Sequence, residues 1–402
     1  MSTAGRWRVV PVAVVATLGL LTVASACSND DGDDDASDGS VTAPAGGETS
    51  STPPGSDGTS TSPTGPQAYA GRGPYPVGTL EIDAPNGPIT VWYPGEPGSE
   101  AGAAPATYDM RTYLPPAEQA KVTAANDIVF TTDAFTDLPA AEPESRPFPL
   151  VLFSHGFCGF RQQSSFLTTA VASWGFIVAA PEHSARDLTS CLAGTIGQGT
   201  STDVDDLRAA IPVMEAENLR DDGALATRVD TSRVAVVGHS AGGAAAIQMS
   251  ADPQIATFVA LAAGNGNPPA KPGLVVAGDA DAIAPVGSIE QWWNTVPSPR
   301  QLAVLGGVTH LGFMDACTIA ADQGGILQVA TDAGVAVPEV ILNLYADGCA
   351  PQYTPAPTAW PAIRHMTIAQ LRAALGVDPA PVGLDASLAD AYDGLTIRYQ
   401  SA

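Results

Sequence analysis

Positive charge is scarce in this 402-residue chain: 17 lysines and arginines stand against 42 aspartates and glutamates, for a formal charge of −25. Such a surface repels phosphates, which argues against nucleic acid as a partner. Charge of either sign is thin, at 15% of residues, whereas 45% are hydrophobic. That is enough apolar material for at least one full core, in one large domain or two medium ones. Internal repeats are absent. No cluster of His, Cys, Asp and Glu has metal-ligand spacing, so neither a metal nor a cofactor is expected. Histidine is limited to five residues and cysteine to five, which keeps the candidates for each role few.

The first segment reads as an address rather than a fold. Arg6 and Arg8 precede an apolar run from Val9 to Ala24, followed by Ser25-Ala26-Cys27. A basic start, an apolar stretch and small residues mark an export signal, here residues 1–26. Ala24-Ser25-Ala26-Cys27 resembles a bacterial lipobox, with Ala24 where leucine is usual, so Cys27 is the expected lipidated first residue and membrane attachment point. Plain secretion after cleavage near Ala26 and a retained anchor are the other readings. Ser28 to Pro66 holds Ser, Thr, Gly, Pro and the acidic run Asp30 to Asp35. With almost nothing apolar to bury, it is expected to be disordered, and residues 27–66 form a tether. The acidic run lacks the ligand spacing of a calcium loop.

From residue 67 to 402 the composition is globular, and one domain is expected. Gly78 to Ile82 and Ile89 to Tyr93 read as opening strands around an Asn86-Gly87 turn. Glu96 to Pro147 reads as irregular and proline-rich. Then strands alternate with helices. Strands are predicted at Leu150 to Phe153, Phe176 to Ala180, Val234 to Val237, Phe258 to Ala262, Leu274 to Ala277 and Leu302 to Leu305. Helices are predicted at Gln162 to Trp174, Asp203 to Glu217 and Ala241 to Met249. Alternation of this kind predicts an α/β fold, a mostly parallel sheet with helices on both faces and its site at the carboxyl ends of the strands.

The chemistry gathers at that rim. Gly238-His239-Ser240-Ala241-Gly242 is a G-x-S-x-G elbow between a valine-rich strand and an alanine-rich helix, where a sharp turn presents the serine and glycines remove colliding side chains. A phosphate-binding turn is the competing reading, but the Walker lysine and the G-x-G-x-x-G spacing are missing. Serine needs a base. His155 and His239 lie inside the loop and elbow motifs as supports, and His365 lies beyond the last predicted strand. His183 precedes the serine and suits a pocket wall or loop hydrogen bond. His310, in Gly306-Gly307-Val308-Thr309-His310, follows the last predicted strand and fits the chain order serine, acid, histidine. The acid follows the strand Leu274 to Ala277, where Asp279 and Asp281 both qualify; pattern alone leaves the two open.

Two stretches carry a family resemblance. Phe153-Ser154-His155-Gly156-Phe157 through Ala179-Ala180-Pro181-Glu182-His183 resembles bacterial dienelactone-hydrolase-like esterases and platelet-activating-factor acetylhydrolases. Leu274 through Val286, with Gly307-Val308-Thr309-His310, resembles bacterial cutinases and polyester hydrolases. The resemblance spans roughly Tyr75 to His310 and implies the α/β-hydrolase fold with a triad of Ser240, Asp281 and His310. It selects Asp281, which precedes the Ala282-Ile283-Ala284-Pro285 run, and it implies an oxyanion hole from the backbone N–H groups of Phe157 and Ala241. The implied activity is carboxylic-ester hydrolysis on a small-molecule or lipid ester, with phospholipid or polyester as variants and an acyltransferase or amidase on the same triad as a rival enzyme. A non-catalytic surface-binding lipoprotein is the rival of another class. Ala241 is smaller than the residue usual after the serine of polyester hydrolases, and Gly264 to Pro269 lacks their tryptophan.

The remaining cysteines number four once Cys27 is set aside, which allows three pairings. Cys158 and Cys191 each follow a rim strand onto what should be neighbouring loops, and Cys317 and Cys349 share the segment after His310. An export signal places such thiols in an oxidising compartment, so Cys158–Cys191 and Cys317–Cys349 are the expected pairs.

Overall fold

The computed structural model describes residues 63–199 and 201–402. The export signal, Cys27 and residues 27–62 of the tether lie outside the described residues. In chain order the elements are β1 (Val77–Ile82), β2 (Ile89–Pro94), β3 (Pro105–Asp109), α1 (Pro116–Gln119), β4 (Val129–Thr136), β5 (Phe148–Ser154), α2 (Ser165–Ser173), β6 (Ile177–Pro181), α3 (Leu188–Ala193), α4 (Asp203–Leu219) and β7 (Val229–His239). There follow α5 (Ala241–Met249), β8 (Ile255–Leu261), β9 (Gly273–Gly278), α6 (Val286–Trp293), β10 (Gln301–Leu305), α7 (Ile326–Asp332), α8 (Glu339–Gly348), α9 (Ala356–Ala374) and β11 (Ile397–Ser401). The strands form one 11-stranded sheet in the order β11-β10-β9-β8-β7-β5-β6-β2-β1-β4-β3.

The middle of that sheet, β6-β5-β7-β8-β9-β10, is parallel throughout. These strands are buried on both faces, which explains their unbroken apolar runs: every residue of β5 and of β9 is buried. Helices cover both sides. One apolar cluster joins α2 residues Phe166, Leu167 and Ala170 to α9 residues Ile363 and Met366. On the other side Leu207, Ile211 and Met214 of α4 meet Ile247 of α5 and Trp293 of α6. The long helix α4 starts on a capping box, with Thr202 accepting from Asp205 N and the Asp205 carboxylate accepting from Thr202 N.

Three expectations need correction. Glu96 to Pro147 is not irregular: β3 and β4 lie in it and extend the sheet, with β4 parallel to β1 and antiparallel to β3. Only Ala134 of β4 is fully buried, so this strand, next to the edge strand β3, has no apolar run to betray it. The strand before His310 is also not the last, because β11 closes the opposite edge antiparallel to β10, with Ile397 beside Leu305. Ile397 is its one buried residue. The helix expected from Gln162 begins at Ser165, since the two glutamines before it are engaged elsewhere.

Candidate active site

The elbow after β7 is shaped by crowding. Ser240 has φ +56° and ψ −119°, a left-handed backbone that costs a non-glycine residue about 1–3 kcal/mol and persists only where its surroundings enforce it. Here a Cβ on Gly238 would stand 2.0 Å from Gly242 O, and one on Gly242 would stand 2.1 Å from Ser154 O. Only glycine at both places lets β7, β5 and α5 approach closely enough to force the turn. Ser240 N donates to Leu261 O at 2.8 Å.

Three side chains meet above that turn. Ser240 Oγ lies 2.8 Å from His310 Nε2, and His310 Nδ1 lies 2.8 Å from Asp281 Oδ2. The other Asp281 oxygen accepts from Ile283 N at 2.8 Å and Ala284 N at 2.7 Å. Asp281 is 4% exposed and His310 5%. Asp279 goes elsewhere: it is exposed and accepts from Gly307 N at 2.6 Å, bracing the turn that leads to His310. Phe157 borders the serine cleft, and Ala241 is the first residue of α5. Among the described residues, neither of their amides is spent on a backbone carbonyl.

The other histidines are supports. His239 is buried; its Nδ1 lies 3.0 Å from Gln163 Nε2, and its Nε2 donates to His310 O at 3.1 Å. Burial, with His310 nearby, holds its pKa well below the usual range, so the ring is neutral and its single proton is committed to the His310 carbonyl. His155 Nε2 sits 2.9 Å from Glu182 Oε1. His183 contacts Ser154 Oγ at 2.8 Å and Asp206 Oδ2 at 2.9 Å. His183, Asp203 and Asp206 converge closely enough to suggest a cation site, but Arg186 Nε already donates to Asp203 Oδ2 at 2.7 Å and fills that role. His365, in α9, accepts from Tyr69 N at 3.2 Å far along the chain from the serine.

Several site residues escaped the sequence. Gln163 ties three pieces together: Oε1 accepts from Gly156 N at 3.1 Å, Nε2 meets His239, and its carbonyl accepts from Asp315 N at 2.7 Å. Asp315 accepts from Ser165 N at 2.7 Å and Phe166 N at 3.2 Å at the start of α2. Burial pushes its carboxyl up to about 7, against the pull of those donors. Together they fasten the His310 segment to the elbow. Their one sequence signal was polar residues in positions that an amphipathic helix start would leave exposed. Disulfides join Cys158 to Cys191 and Cys317 to Cys349, with Cα separations of 5.5 and 5.3 Å. The first braces the loop carrying Phe157, the second the segment after His310. The space over Ser240 is only about 20 Å³, walled by Phe157, Met314, Leu344 and Tyr345 among others, on the order of one water.

The fold is that of an α/β hydrolase. The sequence profile of the family described as "Platelet-activating factor acetylhydrolase, isoform II" matches residues 122–222. Cutinase est1 of Thermobifida alba is 28% identical over 184 residues, 42% of this chain and 55% of that protein. A cutinase of Thermobifida fusca (strain YX) is 29% identical over 184 residues, 42% of this chain and 54% of its own. Bis(hydroxyethyl) terephthalate hydrolase of Streptomyces coelicolor is 28% identical over 171 residues, 40% and 50% of the two chains. The chain spans about half the length of these curated relatives. It thus resembles serine esterases of both groups.

Proposed function

We propose that this chain is an exported carboxylic-ester hydrolase working through an acyl-enzyme on Ser240. The observation that carries the reading is the row of contacts Ser240 Oγ–His310 Nε2–Asp281 at 2.8 Å each, on a left-handed serine at a helix start. In this mechanism His310 Nε2 takes the Ser240 proton as Oγ attacks the ester carbonyl. Asp281 keeps the other imidazole proton on Nδ1 and stabilises the cation that forms. The tetrahedral oxyanion collects the N–H groups of Phe157 and Ala241, each of which contributes on the order of 10²–10³ in rate. His310 then hands its proton to the leaving alcohol. Water repeats the sequence on the acyl-enzyme and returns free serine and the acid.

Carboxylic esters as a class are supported by the names of the relatives. The four paired cysteines accord with an oxidising compartment, and the lipobox-like Ala24 to Cys27 supports anchoring through a lipidated Cys27. The test is labelling by a fluorophosphonate together with hydrolysis of p-nitrophenyl acetate. Both are expected in the wild type and absent in Ser240→Ala. A wild type inert in both assays would leave a binding scaffold instead. Growth with labelled palmitate is expected to tag the wild type and not Cys27→Ser.

A further inference from the structure

A second cavity lies against the first. It measures about 80 Å³, four times the space over Ser240, and Tyr345 forms a wall of both. Its other walls come from residues 110–128, from α3 and from the stretch 326–341. They are aliphatic except for Arg111 and Asn126. Arg111 is already paired, with Asp109 at 2.7 Å and Asp127 at 3.6 Å, so no free charge faces an occupant. The chamber is held at its sides by the disulfides: Cys158 and Cys191 pack in one apolar cluster with Ile341, Leu188, Leu327 and Tyr345. The Cys317–Cys349 bridge closes the segment that contains α7 and α8.

The geometry points to this chamber as the binding site for the linear alkyl chain of the ester, with Tyr345 as the movable wall between it and Ser240; this rests on the hydrolase reading. Water finds few partners along these aliphatic walls, and an alkyl chain gains contacts there that water does not supply. Charged, sugar-like or phosphate groups would find no partners. The space over Ser240 holds little more than one water, so a chain passes from it into the chamber only when the wall they share moves. Tyr345 stands in the last turn of α8 and is half-buried, and α8 begins with no side-chain cap. A side chain so placed reorients without breaking the sheet or the triad. Two segments outside the sheet, the one between β3 and β4 and the one from α7 to α8, find a common purpose in lining this chamber.

The test measures kcat/KM along two series, p-nitrophenyl esters from acetate to decanoate and acetate esters of alcohols from ethanol to decanol. One series is expected to rise with length by up to about fourfold per buried methylene, and which one rises tells whether the chain belongs to the acid or to the alcohol. Ala330→Trp plants a ring in the chamber and is expected to cut the long-to-short ratio in that series at least tenfold. Tyr345→Ala is expected to raise it. Ala333→Leu serves where the tryptophan variant does not fold, judged by its melting curve and fluorophosphonate labelling. Flat profiles in both series, or an unchanged ratio in the folded plugged variant, overturn the inference and leave the hydrolase reading standing. If no ester is turned over, decanoate is titrated calorimetrically into Ser240→Ala. Heat that is lost on adding Ala330→Trp keeps the chamber while the hydrolase reading falls, and absence of heat overturns the chamber.

Discussion

The carboxyl rim of the central sheet and the cap above it are built on different terms. At the rim, Ser240, Asp281 and His310 hang from loops after β7, β9 and β10, strands whose apolar residues are buried on both faces. Their positions are set by backbone: the elbow by glycine contacts, Asp281 by two amides, His310 through its carbonyl and His239. The cap is made of the segment between β3 and β4 and of short helices, with no ladder linking α7 and α8 to the sheet, and a disulfide at each side does what strand pairing does elsewhere. On the proposed reading, chemistry that demands sub-ångström placement falls on the rigid part, and the variable end of a substrate on the part that is stapled but locally adjustable.

Perturbing each part separately breaks or sharpens this contrast. The largest effect is expected at the rim: Asp281→Ala should lower kcat on the order of 10⁴-fold, whereas Asp279→Ala, which only loosens the Gly307 turn, should cost under tenfold. The reverse ranking would mean that the two carboxylates have been assigned the wrong way round. In the cap, Cys317→Ser with Cys349→Ser opens a loop of 32 residues, and loop entropy gives roughly 3.7 kcal/mol lost before native strain is counted. Denaturant unfolding measures that loss, and a double variant as stable as the wild type would show the staple to be dispensable.

Next comes the core beneath the rim. Burial lowers His365 to about 4, opposed by the Gly383 carbonyl and Asp385, and its Nδ1 accepts from Tyr69 N only when neutral. The unfolded histidine takes up a proton near pH 6.5, which the folded one resists until about 4. Stability is therefore complete above about 6.5 and falls as pH drops through that window, by on the order of 3 kcal/mol. His183 and His239, also lowered, add to the same trend. In His365→Gln the fall in denaturant midpoint between pH 7 and 4.5 should be smaller than in the wild type; an equal fall would assign the effect to other groups. A smaller effect is expected for Gln163→Ala, about tenfold in kcat with KM little changed, because its side chain is spent on Gly156 N and His239. A matching loss in KM alone would place it in substrate binding.

How much could be read in advance follows the same division. Strands β5 to β10 announce themselves because burial on both faces demands apolar runs such as Leu150 to Phe153. The elbow shows because its glycines are compulsory, and the few histidines left one at the right point in the chain order. Choosing Asp281 over Asp279 needed resemblance, since both follow the same strand; the structure separates them by whether the carboxylate meets a ring or a turn amide. Strands β4 and β11, outside the parallel core, were silent because a single buried residue in each makes no pattern. Gln163, Asp315 and Tyr345 were silent for another reason: their value lies in partners far along the chain, and nothing local encodes a meeting between Gln163 and His239.

The crowding at Gly238 and Gly242 has a consequence for descent. A single added methyl at either position would collide with backbone about 2 Å away, and backbone has nowhere to retreat without dragging a central strand. Ala330 and Val337 in the cap line the chamber. A lineage acquiring new substrates therefore inherits an elbow it cannot edit and a chamber it can remodel one residue at a time. Saturation libraries should return the same division: two glycine columns almost empty of survivors, and cap columns populated by variants that differ in preference rather than in viability.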